Sequence, residues 1–273
     1  WEWMLKLDGR NFSQRFTYSL WFLMSFQAGY INVGGFLIFG NFVSHVTGTS
    51  SQIGMGVANL DTVQLLTFVS ILVAFISGAA FSGHMIGRKI EENKEPHYTL
   101  VTAIKSFLFG IVLILSEFHL DDPTIEIKLA IIFLLSFCCG VQNSTCSIAT
   151  NGFLKPTHMT GLSTDIGIHL TKIFAWKNSD KNKFNTELLK NKLRLSILGF
   201  FIFGGAIALM IFSANGHYGF LFPFVSSLCL LIVSILADLK NKRKMVPYYS
   251  LAKSSIWGTF LLTVFLGFYQ LIN

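Results

Sequence analysis

The feature that most constrains this chain is a series of continuous apolar stretches, each about 20 residues long. They lie at about 16–40, 62–84, 98–117, 127–150, 193–213, 218–238 and 251–272. Uninterrupted stretches of this length predict bilayer-spanning helices, because a backbone in lipid must satisfy its own hydrogen bonds. Only 13% of the residues are charged, against about a quarter in soluble domains. The predicted fold class is an all-α polytopic membrane protein of about seven transmembrane helices, in a single membrane domain over residues 1–273.

Lysine and arginine are distributed unevenly over the connections between these stretches. They occur before the first stretch and in the connections 85–97, 151–192 and 239–250. They are absent from the connections 41–61, 118–126 and 214–217. Because basic loops stay in the cytoplasm, this alternation predicts a cytoplasmic N-terminus and a periplasmic or extracellular C-terminus. The polar stretch 173–192 is predicted to be a cytoplasmic surface helix or loop beside the headgroups, or else a solvated connector.

The net charge of +7 favours a lipid partner rather than nucleic acid, because the basic residues lie in the short connections. The cysteines lie within apolar stretches and form no CxxC pattern, so they are predicted to be buried thiols. No metal or cofactor is predicted. The first apolar stretch is too long for a cleavable signal peptide, so none is expected.

An internal repeat relates the two halves of the chain. Three pairs of segments match: SFQAGYINVGG (25–35) with SFCCGVQNSTC (136–146), HVTGTSSQIG (45–54) with HMTGLSTDIG (158–167), and FISGAAF (75–81) with FIFGGAI (201–207). Three predicted spans separate the copies, and three is odd, so the second copy enters the membrane from the opposite side. The sequence therefore predicts two inverted-topology three-helix repeats, at about 16–118 and 127–238, and one extra helix at 251–272.

Each copy continues into a segment that is too polar and short to span lipid and too rich in glycine for an ordinary loop. These segments, 41–59 and 151–170, are predicted to be half-helices or broken helices, with Thr157 as the N-cap of the second. One helical face would carry His45, Gly48, Gln52 and Gly56 in the first copy, and His158, Gly161, Asp165 and His169 in the second. The N-termini of two such helices, meeting near the midplane, would form a polar centre.

Both copies contribute to the predicted substrate or ion pathway. Burying an ionisable group at membrane depth costs free energy, so such a group commonly has a function. Asp165, which stands opposite Gln52 in the repeat, is therefore the strongest candidate for a pathway residue. The alternative is that Asp165 only caps a helix or pairs with His169. For the repeated histidines and asparagines, the alternative is hydrogen bonding between helices. The residues predicted to line the pathway are Asn32, His45, Thr47, Gly48, Gln52, Asn143, His158, Thr160, Gly161, Asp165 and His169.

Gln27, Gln142 and Lys105 are also polar residues within the apolar stretches. Gln27 and Gln142 are weaker pathway candidates. Lys105 lies about eight residues into the third stretch and is predicted to extend towards the interface instead of binding a ligand.

The stretch AGYINVGGFL followed by FVSHVTGTSSQIG resembles the signature of the YoaK-like family, bacterial membrane proteins known mainly as a domain of unknown function. The family pattern is AGxxDxxGF followed by xTGNxxxLG. Here Asn32 stands where an acidic residue is common, and Thr49 stands where Asn is common. The resemblance covers most of the chain. It implies a bacterial inner-membrane location and, loosely, a permease, without naming a substrate.

The leading functional prediction is a small-solute transporter with alternating access around the two HxTG segments. The alternative is an hourglass channel for a small solute. A further alternative is a membrane sensor or a haem- or metal-binding membrane protein. The sequence contains neither HExxH nor GxSxG, and no enzyme is predicted. The expected partners are the lipid bilayer and a small molecule or ion, and a homo-oligomer is left open.

Overall fold

A computed structural model describes residues 12–119 and 124–243. Over these ranges the chain forms helices and no strands. In chain order the helices are α1 (Phe12–Phe39), α2 (Val46–Asn59), α3 (Thr62–Ser82), α4 (Arg88–Glu91), α5 (Tyr98–His119), α6 (Ile125–Ala149), α7 (Met159–Trp176), α8 (Lys181–Asn215) and α9 (Leu221–Arg243). A π-helical turn over Gly83–Gly87 joins α3 to α4, and a 3-10 turn over Gly216–Phe220 joins α8 to α9.

Six helical segments in the described ranges are long and apolar enough to cross a membrane: α1, α3 with α4, α5, α6, α8 and α9. They coincide with the first six predicted stretches. The prediction of an all-α polytopic fold is confirmed. The seventh predicted span, 251–272, and the C-terminus that follows it lie outside the described residues.

The polar stretch 173–192 belongs to two helices and is not a separate surface element. Helix α7 continues to Trp176, and α8 begins at Lys181, twelve residues before the predicted span at 193. Asp180 is the N-cap of α8, and its carboxylate accepts the backbone N–H groups of Asn182 and Lys183 at 3.1 and 3.0 Å. The N–H of Lys183 contributes most to holding the pKa of the Asp180 carboxyl below its usual value. A polar cap therefore starts the helix well before its apolar part.

Helices α1 and α8 cross at very short range because glycines line the crossing. A Cβ added at Gly29 would collide with the backbone carbonyl of Phe201. A Cβ added at Gly204 would collide with the backbone carbonyl of Phe26. Without hydrophobic attraction between helices in lipid, such close backbone packing is a main source of helix association.

Helices α3 and α6 cross in the same way. A Cβ added at Gly78 would collide with the carbonyl of Phe137, and one at Gly140 with the carbonyl of Phe75. Each of these contacts has its counterpart at the α1–α8 crossing under the sequence repeat, since 25–35 matches 136–146 and 75–81 matches 201–207. The two halves of the chain therefore repeat one packing scheme, and each crossing joins a helix of one half to a helix of the other.

The third main contact between the halves joins α5 to α9, and the 3-10 turn closes one end of the bundle. Tyr30 is fully buried, and its hydroxyl donates to the carbonyl of Gly219 at 2.8 Å. Phe26, Tyr30 and Phe222 pack together as aromatic rings between α1 and α9. The main core cluster lies where α1, α5, α6, α8 and α9 meet.

We expect Gly204→Ala to lower the stability of the protein by about 1–3 kcal/mol, because the added methyl overpacks the α1–α8 crossing. Gly199→Ala is the matched control, since Gly199 lies on the same helix with open space around its Cβ position. Thermal unfolding of the purified protein in detergent measures both. Equal melting temperatures for the two variants would contradict the close crossing.

Candidate functional site

Two asparagines hold the segments that lead into the short helices α2 and α7. The Oδ1 atom of Asn32 on α1 accepts the backbone N–H and the hydroxyl of Ser44, at 3.0 and 2.9 Å. The Oδ1 atom of Asn143 on α6 accepts the backbone N–H of Thr157 at 3.2 Å. Ser44 and Thr157 each directly precede the histidine of an HxTG motif. Each asparagine therefore ties a long helix to the start of the short helix that follows it.

The HxTG motif forms a compact helix start in both copies. His45 and His158 occupy the N-cap positions of α2 and α7, and neither makes a side-chain capping bond. Each imidazole lies over its own glycine: a Cβ added at Gly48 would be 2.6 Å from His45 Nδ1, and one at Gly161 would be 2.7 Å from His158 Cε1. The predicted N-cap, Thr157, lies one residue too early, because its N–H is held by the asparagine of α6. The shared glycine therefore leaves room for the histidine ring.

The predicted pathway residues lie mostly on the open faces of the short helices. Helix α2 packs against α3, and α7 packs against α8. Those that are exposed are His45, Thr47, His158, Thr160 and Asp165. Those that are half-buried are Gly48, Gln52, Asn143, Gly161 and His169, and Asn32 is buried. Their role in solute passage stays a prediction.

The second copy carries an ion pair between His169 and Glu187, whereas the sequence suggested Asp165 as the partner of His169. His169 Nδ1 lies 2.5 Å from Glu187 Oε2 on α8, so this histidine pairs with Glu187 and not with Asp165. Lys190 Nζ lies 3.5 Å from the other oxygen of Glu187. In the first copy, the contact between the short helix and the next span is neutral and lies at a different position of the repeat: Gln64 Nε2 donates to Gln52 Oε1 at 2.8 Å. A neutral hydrogen bond therefore joins α2 to α3, whereas a histidine–carboxylate contact joins α7 to α8.

Sequence reasoning missed a cavity of about 60 Å³ between α1, α5, α6 and α9. Because a single water occupies about 10–15 Å³ on this measure, several waters or one small solute would fit. The apolar lining comes from all four helices. The polar residues of the lining are Thr102, Lys105, Gln142, Thr145 and Ser234. None of the predicted pathway residues lines this cavity.

Lys105 lies at the deep end of this cavity, and its predicted extension to the interface is wrong. The residue is only 3% exposed. Its Nζ atom donates to Gln27 Oε1 on α1 at 3.2 Å and to Gln142 Oε1 on α6 at 2.9 Å. The lysine of α5 therefore joins one helix from each half of the chain.

The two glutamines are fixed in an orientation that presents oxygen to the lysine. Gln27 Nε2 donates to the hydroxyls of Ser226 and Ser227 on α9, at 2.7 and 2.9 Å. Gln142 Nε2 donates to the backbone carbonyl of Met24 at 2.6 Å. Since both amide nitrogens are used elsewhere, only their oxygens remain for Lys105. The signal available in the sequence was the presence of two glutamines and a serine pair within apolar stretches.

The cysteines add no visible metal chemistry to this site. Cys138, Cys139 and Cys146 are buried free thiols on α6, and Cys229 is partly buried on α9. The sulfur of Cys146 lies 3.6 Å from the sulfur of Met24. Within residues 12–119 and 124–243, no group of three or more His, Cys, Asp or Glu residues is placed to hold a metal ion.

A bundle of apolar helices, two short polar helices and a cavity with a buried lysine among the spans define a polytopic membrane protein. Residues 20–236 match the model of the family described as "Protein of unknown function (DUF1275)". The chain belongs to this family. The narrower resemblance to YoaK-like proteins stays a prediction. No curated protein and no solved structure matches the chain.

We expect Asn32→Leu to destabilise the protein by about 1–3 kcal/mol, because the buried N–H of Ser44 would lose its acceptor. Asn32→Asp keeps an oxygen at the same position and should cost less. Thermal unfolding of both variants in detergent tests the role. A larger loss in Asn32→Asp than in Asn32→Leu would show that accepting these bonds is not what the position requires.

Proposed function

We propose that the protein is a transporter that moves a small solute across the membrane by alternating access. The observation that supports this most is the cavity with a buried lysine at its deep end. Charged and polar side chains inside a membrane bundle are costly, and they commonly mark solute or ion pathways. Here Lys105, Gln27 and Gln142 lie where helices of both halves meet, which is where a transporter of this kind binds its solute.

The duplicated packing supports an inverted repeat as the basis of the transport cycle. The first repeat comprises α1, α3 and α5, and the second comprises α6, α8 and α9. The glycine crossings α1–α8 and α3–α6 both join one repeat to the other. In alternating access, one repeat rocks against the other around a fixed central site.

The charge distribution supports an inward-facing arrangement in a bacterial inner membrane. If the basic connections are cytoplasmic, the cytoplasmic ends are the starts of α1 and α5 and the ends of α6 and α9. The cavity is lined from these parts of the four helices, out to Tyr98, Ala149 and Ala237. The cavity would then belong to the cytoplasmic half of the protein, with Lys105 nearest the midplane.

The HxTG segments have a proposed role as the movable parts of the pathway. Their helices are too short or too polar to be among the spans, and both are attached at their N-terminal ends through Asn32 and Asn143. A helix start fixed by one side chain and packed on a single neighbouring span is suited to small displacements. His45 and His158 at these starts would then meet solute in passage.

We expect Ala237→Phe to lower solute flux about tenfold or more, because the phenyl ring would fill the outer part of the cavity. Ala80→Phe is the matched control, since Ala80 is exposed on α3 and does not line the cavity. Flux is measured in liposomes with a panel of small anions, amino acids and neutral metabolites, with and without a proton gradient.

Saturable flux that is lost in Ala237→Phe and kept in Ala80→Phe would support the transporter. Flux that rises linearly with concentration would favour the channel alternative. Absence of flux for every solute in the panel, from protein that is folded and correctly inserted, would contradict the proposal.

A further inference from the structure

We propose that the cavity between α1, α5, α6 and α9 is an anion site, in which Lys105 binds a small monovalent anion such as a halide or a short carboxylate. This inference rests on the proposed transport function and names the chemical class of the solute. It depends on three independent features of the cavity: its charge, its unused donors and its size.

The first feature is a buried positive charge without a negative partner. The ion pairs in the described part of the chain involve other basic residues: Arg88, Lys94, His169, Lys183 and Lys190. Lys105 has only the amide oxygens of Gln27 and Gln142. Two neutral dipoles compensate a buried ammonium only in part, because removing such a charge from water costs several kcal/mol. A bound anion would supply the missing negative charge.

The second feature is a pair of donors that the protein leaves unused beside the cavity. An ammonium carries three N–H donors, and two of those of Lys105 are used. Across residues 12–119 and 124–243, no acceptor is found for the third. Ser234 is 5% exposed, lines the same cavity, and makes no hydrogen bond within the described part of the chain. The third N–H of the ammonium and the hydroxyl of Ser234, neither of which has an acceptor, form a binding site for an anionic oxygen or a halide.

The amide framework makes the site selective for anions over cations. The oxygens of Gln27 and Gln142 are already occupied by the ammonium, and the amide nitrogens are held by other partners. No carboxylate is among the residues that line the cavity. A cation entering this space would meet the charge of Lys105 at short range without an acidic side chain to offset the repulsion.

The third feature is the size and the apolar lining of the cavity. A space of about 60 Å³ admits an ion or a molecule of a few heavy atoms, and it is too small to enclose a nucleotide. Leu230 and Val233 on α9 and Val141 on α6 face the same space. These side chains would contact the alkyl end of a short carboxylate whose charged end lies at Lys105.

Binding is tested on the full-length protein, purified in detergent, without any need for transport. Thermal unfolding is followed in sodium acetate, in sodium chloride and in sodium gluconate at equal ionic strength. A ligand that binds only the folded state raises the melting temperature with its concentration. We expect a rise with acetate or chloride beyond that in gluconate, which is too large for the cavity. Equal melting curves in the three salts would overturn the anion site.

Variants then test whether the anion-dependent rise in melting temperature comes from binding in the cavity. Lys105→Met should abolish the anion-dependent rise, and Lys105→Arg should retain at least part of it. Ser234→Ala removes one donor with little change in packing and should weaken the apparent affinity several-fold. Lys128→Met is the matched control, because Lys128 is exposed on α6, and it should leave the response unchanged. If Lys105→Met does not fold, the wild-type salt series and the Ser234→Ala variant still test whether an anion binds in the cavity. An anion-dependent rise that persists in folded Lys105→Met, or that is unchanged in Ser234→Ala, would overturn the assignment.

Comparison with the flux measurement separates this inference from the transport function. Anion-dependent stabilisation without flux of any solute would keep the anion site and contradict transport. Saturable flux of a neutral solute, with equal melting curves in the three salts, would keep transport and overturn the anion site.

Discussion

Everything else in this molecule depends on the contact between glycines and backbone carbonyls at two helix crossings. Lipid tails are as apolar as leucine, so membrane helices gain little from burying apolar side chains against one another. Gly29 and Gly204 bring the backbones of α1 and α8 together, and Gly78 and Gly140 do so for α3 and α6. These crossings fix four spans, and the cavity lies between that frame and the pair α5–α9. A side chain at any of the four glycines would separate α1 from α8 or α3 from α6, and so displace a helix that lines the cavity.

The polar interior follows from the same frame. Once α1 and α6 are held by their crossings, Gln27 and Gln142 face α5, and their oxygens converge on Lys105. The hydroxyls of Ser226 and Ser227 connect this group to α9. A lysine inside the bundle is tolerated because every amide around it has its own partner, as buried polar networks require. The same network holds the ammonium beside the cavity, where it is available to a solute.

The sequence was sufficient for the first six spans and for the segments that match between the two halves, because both depend on local pattern. Span length follows from bilayer thickness, and the matched HxTG and GxxN segments identified the glycines and asparagines that later proved to make equivalent contacts. It was not sufficient for Lys105. Counting residues from the end of a stretch gives the depth of a side chain, but not the face of the helix on which it lies, so a lysine eight residues into a span was assigned to the interface. The start of α8 was missed for a related reason: hydropathy detects the apolar part of a helix and not the polar turns before it.

The difference between the two halves bears directly on how a duplicated transporter would work. Two identical inverted repeats would make the inward- and outward-facing states equivalent in energy. Here α2 is fastened to α3 by the neutral pair Gln52–Gln64, whereas α7 is fastened to α8 through His169 and Glu187. Beside that pair, Arg194 is 4% exposed and stacks on Phe153, with its carbon Cζ 4.9 Å from the ring centre. Displacing α7 would separate or expose charges. Displacing α2 would break only a hydrogen bond between two side-chain amides. In the proposed transport cycle, α7 would then have the larger barrier to displacement, and the side of the protein that carries α2 would open more easily.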